Sequence, residues 1–205
     1  NLYDGKSLFF DLLTTRLRYF GGTTNHYSGE CSPLDSIDFE ARDWVSHSGW
    51  PLTHDQVMRY LPAAHQLMDI DLLEYGDELW SIVGRAKPDF DPSRLETYFA
   101  KHSGYTNGNY LDWPGPVRFG EKYRKVLENS DNVRVFLYAN ATRLKTIQPQ
   151  HVDGLEVKSL DGHKNIVRAK AYIIACGGIE TPRLMLVSQD TSPAGLGNEH
   201  DNVGR

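Results

Sequence analysis

The segment Phe20–Glu30, FGGTTNHYSGE, concentrates residue types that could bind an anionic ligand. The glycine pair Gly21-Gly22 lets the backbone approach a phosphate closely, and the two threonines that follow add hydroxyl donors. Arg16 and Arg18 lie just upstream and could neutralise the phosphate charge. A glycine turn whose threonines cap the next segment would explain the same residues without a ligand. The residues alone leave both interpretations open.

His26, in the same segment, is the candidate for metal binding or acid–base chemistry. A zinc site needs further histidine, cysteine or carboxylate ligands at suitable spacing, and only Glu30 and Cys31 lie near. We therefore do not expect a zinc site. A serine hydrolase is also excluded, because the chain has no G-x-S-x-G motif. A general base and a structural, partly buried side chain remain as roles for His26.

A second glycine turn follows the most apolar run of the chain, AYIIAC at Ala171–Cys176. This run predicts a buried strand, after which Gly177-Gly178 turn the chain into a helix with Thr181 as N-cap and Pro182 in its first position. A strand, a glycine turn and a helix N-terminus together can present free N–H groups to an anion. Such turns are also common for purely structural reasons, so this signal alone is weak.

The remaining patterns predict short helices and a small sheet. Thr53 and Gln56 form a capping box, and Pro62 suits the first turn of the next helix. FGEKYRKVLENS predicts a helix that stops near Asn129. Its apolar face comprises Phe119, Tyr123, Val126 and Leu127.

Residues 133–144, VRVFLYANATRL, predict a strand. The turn dipeptides Asp153-Gly154 and Asp161-Gly162 follow it and predict a β-meander.

Composition and charge narrow the class of protein. The 205 residues are 40% hydrophobic and carry a formal net charge of −5, which is ordinary for a globular chain and gives no basic face for nucleic acid or anionic lipid. No apolar run approaches the roughly 18 residues of a membrane span. Cys31 and Cys176 lie far apart, so we expect free, buried thiols and no disulfide.

Four segments of the chain, in this order, resemble the glucose–methanol–choline (GMC) family of FAD-dependent oxidoreductases. They are RLRYFGGTTNHYSGECSPLD, DFEARDW with SGWP, PVRFGEKYRKVLENSDNVRV, and AKAYIIACGGIETPRLMLVS with GLGNEHDNVGR. The chain is most similar in appearance to the sugar-oxidising branch, which includes pyranose oxidase, gluconate dehydrogenase and fructose dehydrogenase. The resemblance is weakest over residues 72–114.

The resemblance implies an α/β fold with mixed α+β content. It implies parts of a Rossmann-like FAD-binding domain with a β-meander, and part of a substrate-binding domain. Residues 1–50 would form an FAD-binding segment with the flavin-contacting loop, residues 51–116 would belong to the substrate-binding domain, and residues 117–205 would return to the FAD-binding domain.

The resemblance also implies which residues contact FAD. Those expected along the flavin and its pyrophosphate are Gly21, Gly22, Thr23, Asn25 and His26, with Arg18 near the phosphates. Those expected to pass the cofactor with their backbone are Ala139 and Ala141, near the adenine, and Ala175, Cys176 and Gly177. In pyranose oxidase the matching histidine is bonded covalently to the flavin, whereas other members hold FAD without a covalent bond. Both arrangements remain open for His26.

The expected activity is oxidation of a CH–OH group of a sugar or other alcohol by hydride transfer to the flavin. The electron acceptor could be oxygen, a quinone or a cytochrome. Two family features have no match here: the N-terminal G-x-G-x-x-G and the catalytic histidine pair, or histidine–asparagine pair, near the C-terminus. We therefore expect a central fragment that is inactive alone, and we assign no catalytic residue. The alternatives are a non-catalytic structural or interaction chain with this fold, and a nicotinamide-dependent dehydrogenase, which would need its own dinucleotide fingerprint.

Overall fold

The computed structural model describes residues 17–95, 97–104, 114–149 and 151–205. The chain forms two compact units, of which the first ends at Asn132 and the second comprises Val133–Arg205. Both contain helices, and the strand pairs in the described ranges are all antiparallel. This agrees with the predicted mixture of helices and strands. The predicted domain boundaries at residues 50 and 116 stay predictions.

The described part of the first unit consists of short helices and one two-stranded sheet. The helices are the 3-10 helix Gly22–Asn25, α1 (Ser36–Phe39), α2 (His54–Met58), α3 (Leu61–Met68), α4 (Glu78–Ile82), α5 (Phe119–Lys122) and α6 (Arg124–Glu128). The strands β1 (Glu30–Cys31) and β2 (Lys101–His102) pair with each other. No helix in the described ranges is both long and apolar enough to cross a bilayer.

Both helix starts predicted in this unit are confirmed. The Thr53 hydroxyl accepts the backbone N–H of Gln56 at 3.3 Å, and the Gln56 side chain accepts the backbone N–H of Thr53 at 2.9 Å. This reciprocal capping box satisfies two amide groups that would otherwise lack partners at the start of α2. Pro62 lies in the first turn of α3, as predicted.

The helix predicted over FGEKYRKVLENS is divided at Tyr123 into α5 and α6, and it ends at Asn129 as expected. The division coincides with contacts to the C-terminal end of α3. Lys122 donates to the carbonyl of Leu67 at 2.9 Å and to Asp69 at 2.6 Å, and the Tyr123 hydroxyl donates to the same carbonyl at 3.0 Å. A cation that bonds the last carbonyls of a helix stabilises its C-terminus, so α5 holds the end of α3.

The second unit contains the predicted β-meander, which is thereby confirmed. The strands β3 (Asn140–Gln148), β4 (His151–Lys158) and β5 (Lys164–Val167) form an antiparallel sheet in that order. The turn at Asp161-Gly162 is also confirmed, because it joins β4 to β5 and Gly162 has a φ of 96°.

The turn predicted at Asp153-Gly154 is wrong, because both residues lie inside β4. A Cβ on Gly154 would stand 2.7 Å from Cγ2 of Ile166 on β5. The glycine therefore serves a close approach between strands and not a chain reversal.

Two predicted stretches of strand are absent from the structure. The strand predicted over residues 133–144 begins only at Asn140, and residues 171–176 form no strand. Every apolar side chain of residues 133–139 is exposed, with Tyr138 at 83%, and in the second stretch Ile173 is 93% exposed. A strand needs a hydrogen-bonded neighbour and a covered face. No strand in the described ranges pairs with either stretch.

The helix after the second glycine turn, α7 (Gly177–Leu186), begins at Gly177 and not at Pro182 as predicted. Pro182 consequently lies inside the helix. Thr181 is not the N-cap, but its hydroxyl accepts the backbone N–H of Cys176 at 3.2 Å and so still serves the helix start. Cys176 and Cys31 are free, as predicted, but Cys176 is exposed and Cys31 only half-buried.

The core of the second unit joins α7 to β3. Leu144 and Leu184 are buried there, with Leu144 only 1% exposed. The buried Ser188 hydroxyl donates to the carbonyl of Leu184 at 2.6 Å and accepts the N–H of Leu144 at 2.9 Å. Both backbone groups are thereby satisfied within the core.

Charged side chains reinforce the same junction. Asp190 forms ion pairs with Arg143 at 3.1 Å and Lys145 at 3.3 Å, and Arg143 also pairs with Glu156 at 3.3 Å. The carboxylates are largely covered, with 18% of each acidic side chain exposed. The network therefore joins the segment after α7 to β3.

Leu144→Ala should lower the free energy of unfolding of the second unit by about 2–4 kcal/mol, because it leaves a cavity between β3 and α7. Ile147→Ala, on the same strand but with the side chain 68% exposed, should cost less than about 1 kcal/mol. Urea unfolding followed by circular dichroism measures both variants. Equal losses in the two would contradict this assignment of the core.

Acid should weaken the second unit through the Asp190 network. Partial burial acts to raise the pKa of Asp190, but the hydrogen bond from Lys145 and the nearby Arg143 outweigh it and lower that pKa. The hydrogen bond from Thr142 lowers the pKa of Glu156. Because both folded pKa values lie below the unfolded ones, this stabilisation is complete above about pH 5 and is lost as the pH falls through the folded values.

Asp190→Asn should cost about 1 kcal/mol at neutral pH and flatten the loss of stability between about pH 5 and pH 3. Urea unfolding at a series of pH values measures both effects. A variant whose stability follows the same pH curve as the unmodified chain would contradict the role of this carboxylate.

Candidate cofactor site

The loop that carries the candidate residues is a 3-10 helix preceded by a left-handed glycine. Gly21 has a φ of 89° and Gly22 a φ of 53°, both in the region that favours glycine. The chain reverses here because the N–H of Gly22 donates to the carbonyl of Tyr19 at 2.8 Å and that of His26 to the carbonyl of Thr23 at 3.1 Å.

Two polar side chains of the loop point inward. The amide of Asn25 donates to the carbonyl oxygens of Phe20 at 2.9 Å and Gly22 at 3.1 Å. The Thr24 hydroxyl donates to the carbonyl of Gly21 at 2.5 Å. The structure thus uses both side chains to fix the backbone, and a contact of Asn25 with a cofactor stays a prediction.

Thr23, His26 and Arg18 are exposed. Among the described residues, the His26 imidazole has no hydrogen-bond or ion-pair partner. An exposed imidazole on a tightly held backbone is available to a ligand without first breaking an internal bond. The three residues expected to meet the flavin and its phosphates are therefore all accessible.

Gly21 is required by packing, whatever binds to the loop. A Cβ on Gly21 would stand 2.6 Å from the backbone nitrogen of Gly120, and a Cβ on Gly120 would stand 2.7 Å from the carbonyl oxygen of Phe20. A real Cβ atom does not approach other atoms this closely. The loop can therefore pack against α5 only because both Gly21 and Gly120 lack a Cβ. Gly22 differs, because its nearest neighbour would be the Leu17 carbonyl at 3.9 Å.

Arg118, just before α5, was not identified from the sequence. Its Nη1 donates to the carbonyl oxygens of Thr24 at 3.1 Å and Tyr27 at 2.9 Å, so it bonds the loop on both sides of His26. Residue type and spacing gave no signal for these bonds, because their partners are backbone atoms more than 90 residues away.

The five candidate positions in the second unit lie at the ends of two elements. Ala141 lies in β3 and is paired with Val157 of β4, and Ala139 directly precedes β3. Ala175 and Cys176 precede α7, which begins at Gly177. Gly177 has a φ of 86°, and a Cβ on it would meet no atom within 4 Å, so its backbone is open to close approach by a ligand.

These features suit an anionic dinucleotide better than a metal. Open glycine backbone, exposed hydroxyl and guanidinium groups and a helix start are the usual elements of phosphate binding. In the described ranges, no three histidine, cysteine or acidic side chains cluster as metal ligands. Taken by itself, each unit thus has residues of the types that FAD binding requires: the loop in the first unit and the segment before α7 in the second. That they bind the cofactor stays a prediction.

An apolar groove of about 340 Å³ lies beside Gly21 in the first unit. Its lining residues are Phe20, Gly21, Leu67, Phe119, Tyr123, Val126 and Leu127. The groove contains the predicted apolar face of residues 119–127, which shows that these side chains do share one side of the chain.

A smaller cavity of the first unit, of about 110 Å³, is lined in part by Cys31, His65 and Tyr75. His65 Nε2 lies 2.8 Å from the Tyr75 hydroxyl. Burial lowers the pKa of His65 and raises the pKa of Tyr75 to about 12. Both groups are therefore neutral at pH 7, and the pair acts as a buried structural hydrogen bond.

Residues 121–205 match the family model described as GMC oxidoreductase. The match covers the whole second unit together with α6, and it does not extend to the loop at Gly21–His26. No curated protein matches the chain. The matched residues support an oxidoreductase with an FAD-binding domain as the class of protein. They support the GMC oxidoreductases as the family, whereas its sugar-oxidising branch stays a prediction.

Gly120→Ala should destabilise the first unit by about 1–3 kcal/mol, because the added methyl group meets the Phe20 carbonyl. Gly76→Ala is a matched control in the same unit, since its new methyl would meet only the flexible end of Glu74. We expect that change to stay within about 0.5 kcal/mol. Thermal unfolding compares the two, and an unaffected Gly120→Ala variant would contradict the close backbone contact.

Proposed function

We propose that this chain is part of an FAD-dependent GMC oxidoreductase that oxidises the CH–OH group of a sugar or another alcohol. The observation that carries the proposal is the family match over residues 121–205. The exposed and open residues of the Gly21–His26 loop support it independently, because they offer the groups that a dinucleotide needs.

Each unit has its own part in binding the cofactor. In the first unit, the Thr23 hydroxyl and the Arg18 guanidinium bind the pyrophosphate, while the open backbone at Gly22 leaves room for it. His26 lies against the flavin ring. A free or a covalently bonded imidazole would fit this position equally well, and a separate experiment distinguishes the two.

In the second unit the contacts are made by backbone and not by charged side chains. Ala139 and Ala141 border the adenine, and their small side chains permit close approach. Ala175, Cys176 and Gly177 run beside the cofactor at the start of α7, where helix N–H groups favour negative charge.

Bound FAD supplies the two-electron oxidant, so that an alcohol loses a hydride from carbon and its hydroxyl proton to a base, and a carbonyl product forms. The residues of this chain bind and orient the cofactor. None of them is assigned as the base. The substrate is a small-molecule alcohol or sugar, and oxygen, a quinone or a cytochrome accepts the electrons afterwards.

The test is FAD binding by the purified chain, with and without His26. We expect added FAD to be retained on desalting with a visible flavin spectrum, and His26→Ala to weaken binding about tenfold. His200→Ala, an exposed histidine of the second unit, is the control and should bind as the unmodified chain does. A chain that takes up no FAD would overturn the proposal and favour a non-catalytic role.

Acid precipitation of the natural protein decides the covalent bond. Yellow colour that stays with the pellet, and is lost in His26→Ala, would establish a bond to His26. Colour released into the supernatant would show that FAD is held without a covalent bond and would leave the proposed function intact.

A further inference from the structure

We propose that Arg118 is a positioning residue that sets the direction in which His26 faces the cofactor. This inference rests on the proposed function, because it concerns the placement of His26 toward FAD. Arg118 itself need not touch the cofactor. It acts through the backbone of the loop.

The guanidinium of Arg118 fixes the loop at two points that bracket His26. One Nη1 group lies 3.1 Å from the Thr24 carbonyl oxygen and 2.9 Å from that of Tyr27. The backbone between these carbonyls contains only Asn25 and His26. Because both ends of this short span are bonded to one rigid planar group, the Cα–Cβ direction of His26 is fixed.

Tyr27 extends the same clamp toward a buried serine. The Arg118 guanidinium lies 5.8 Å from the centre of the Tyr27 ring, and the Tyr27 hydroxyl is 2.5 Å from Ser103 Oγ. Ser103 has no exposed surface, and its Oγ accepts the N–H of Val117 at 3.2 Å. The bonds thus form a closed circuit from Arg118 through Tyr27 and Ser103 back to Val117, the residue before Arg118.

A glycine closes the contact with that serine. The N–H of Ser103 donates to the carbonyl of Gly29 at 2.8 Å, and a Cβ on Gly29 would stand 2.7 Å from Pro116. Gly29 is buried, with a φ of 90°. The chain on the C-terminal side of His26 is therefore anchored to the segment that carries Arg118, as Gly21 anchors it on the N-terminal side.

The two anchors have different roles. Packing of Gly21 against Gly120 decides whether the loop can lie on α5 at all, and its loss should affect the fold. The Arg118 bonds act on the half of the loop that holds His26. Removing them should loosen His26 while the Gly21–Gly120 contact keeps the loop in place.

Arg118 donates its hydrogen bonds to neutral carbonyl groups and not to a carboxylate. Among the described residues, no acidic side chain forms an ion pair with Arg118. Arg118 is half-buried, and its hydrogen bonds go to the loop backbone. One guanidinium nitrogen that bonds two backbone carbonyls around one exposed histidine points to a role in orienting that histidine.

The test is a double-mutant cycle between Arg118 and His26 in the full chain, read out as the dissociation constant for FAD. Arg118→Met keeps the aliphatic stem and removes the donors. We expect it to weaken FAD binding about tenfold, and to have little further effect when His26 is already alanine. Arg118→Lys, which keeps a charge and donors, should recover part of the loss.

Arg94→Met is the matched control, because Arg94 lies in the same unit with its side chain 82% exposed. It should bind FAD as the unmodified chain does. Hydrogen exchange at the amides of residues 25–28 gives a second readout that needs no cofactor, and Arg118→Met should speed it about tenfold while Arg94→Met leaves it unchanged.

The outcomes separate the two proposals. If the unmodified chain binds FAD and Arg118→Met binds it equally well, or loses equal affinity with and without His26, the positioning role is wrong and the proposed function stands. If the unmodified chain binds no FAD, both proposals fail. Should Arg118→Met not fold, Arg118→Gln, which removes the charge and shortens the side chain, carries the same cycle, and unchanged exchange at residues 25–28 in it would contradict the clamp.

Discussion

The contact between the backbones of Gly21 and Gly120 is the constraint on which the candidate site depends. Neither residue can carry a side chain, because a Cβ on either would stand under 3 Å from backbone atoms of the other segment. This contact seats the loop on α5, and α5 in turn binds the end of α3 through Lys122. One glycine pair therefore connects the candidate residues to the helical part of the first unit.

The loop divides its polar residues between two tasks. The side chains of Thr24 and Asn25 donate hydrogen bonds to carbonyl groups of the loop itself, while Thr23 and His26 are exposed. A loop whose backbone is already hydrogen-bonded internally is ordered before the ligand arrives. Binding then requires less loss of conformational entropy from the loop. Rigid support behind an exposed imidazole is what either mode of flavin attachment would need.

Local sequence patterns predicted much of this structure. They did not predict features that depend on contacts between residues far apart in the sequence. The capping box at Thr53, the meander and the glycine turn at Gly21 depend on neighbouring residues, and the structure contains all three. Ala171–Cys176 has the composition of a buried strand, but composition does not supply the neighbour that makes a strand. Gly154 looked like a turn residue because its close contact with Ile166 cannot be seen in sequence. Arg118 was missed for the same reason, since it bonds to carbonyls that every residue carries.

Photolabelling with 8-azido-FAD, followed by peptide mapping, would identify the residues that lie beside the flavin. We predict that label on the purified chain falls on the peptide containing Gly21–His26 and is displaced by unlabelled FAD. Label confined to other peptides, or label that FAD does not displace, would contradict the assignment of this loop as the flavin-binding segment.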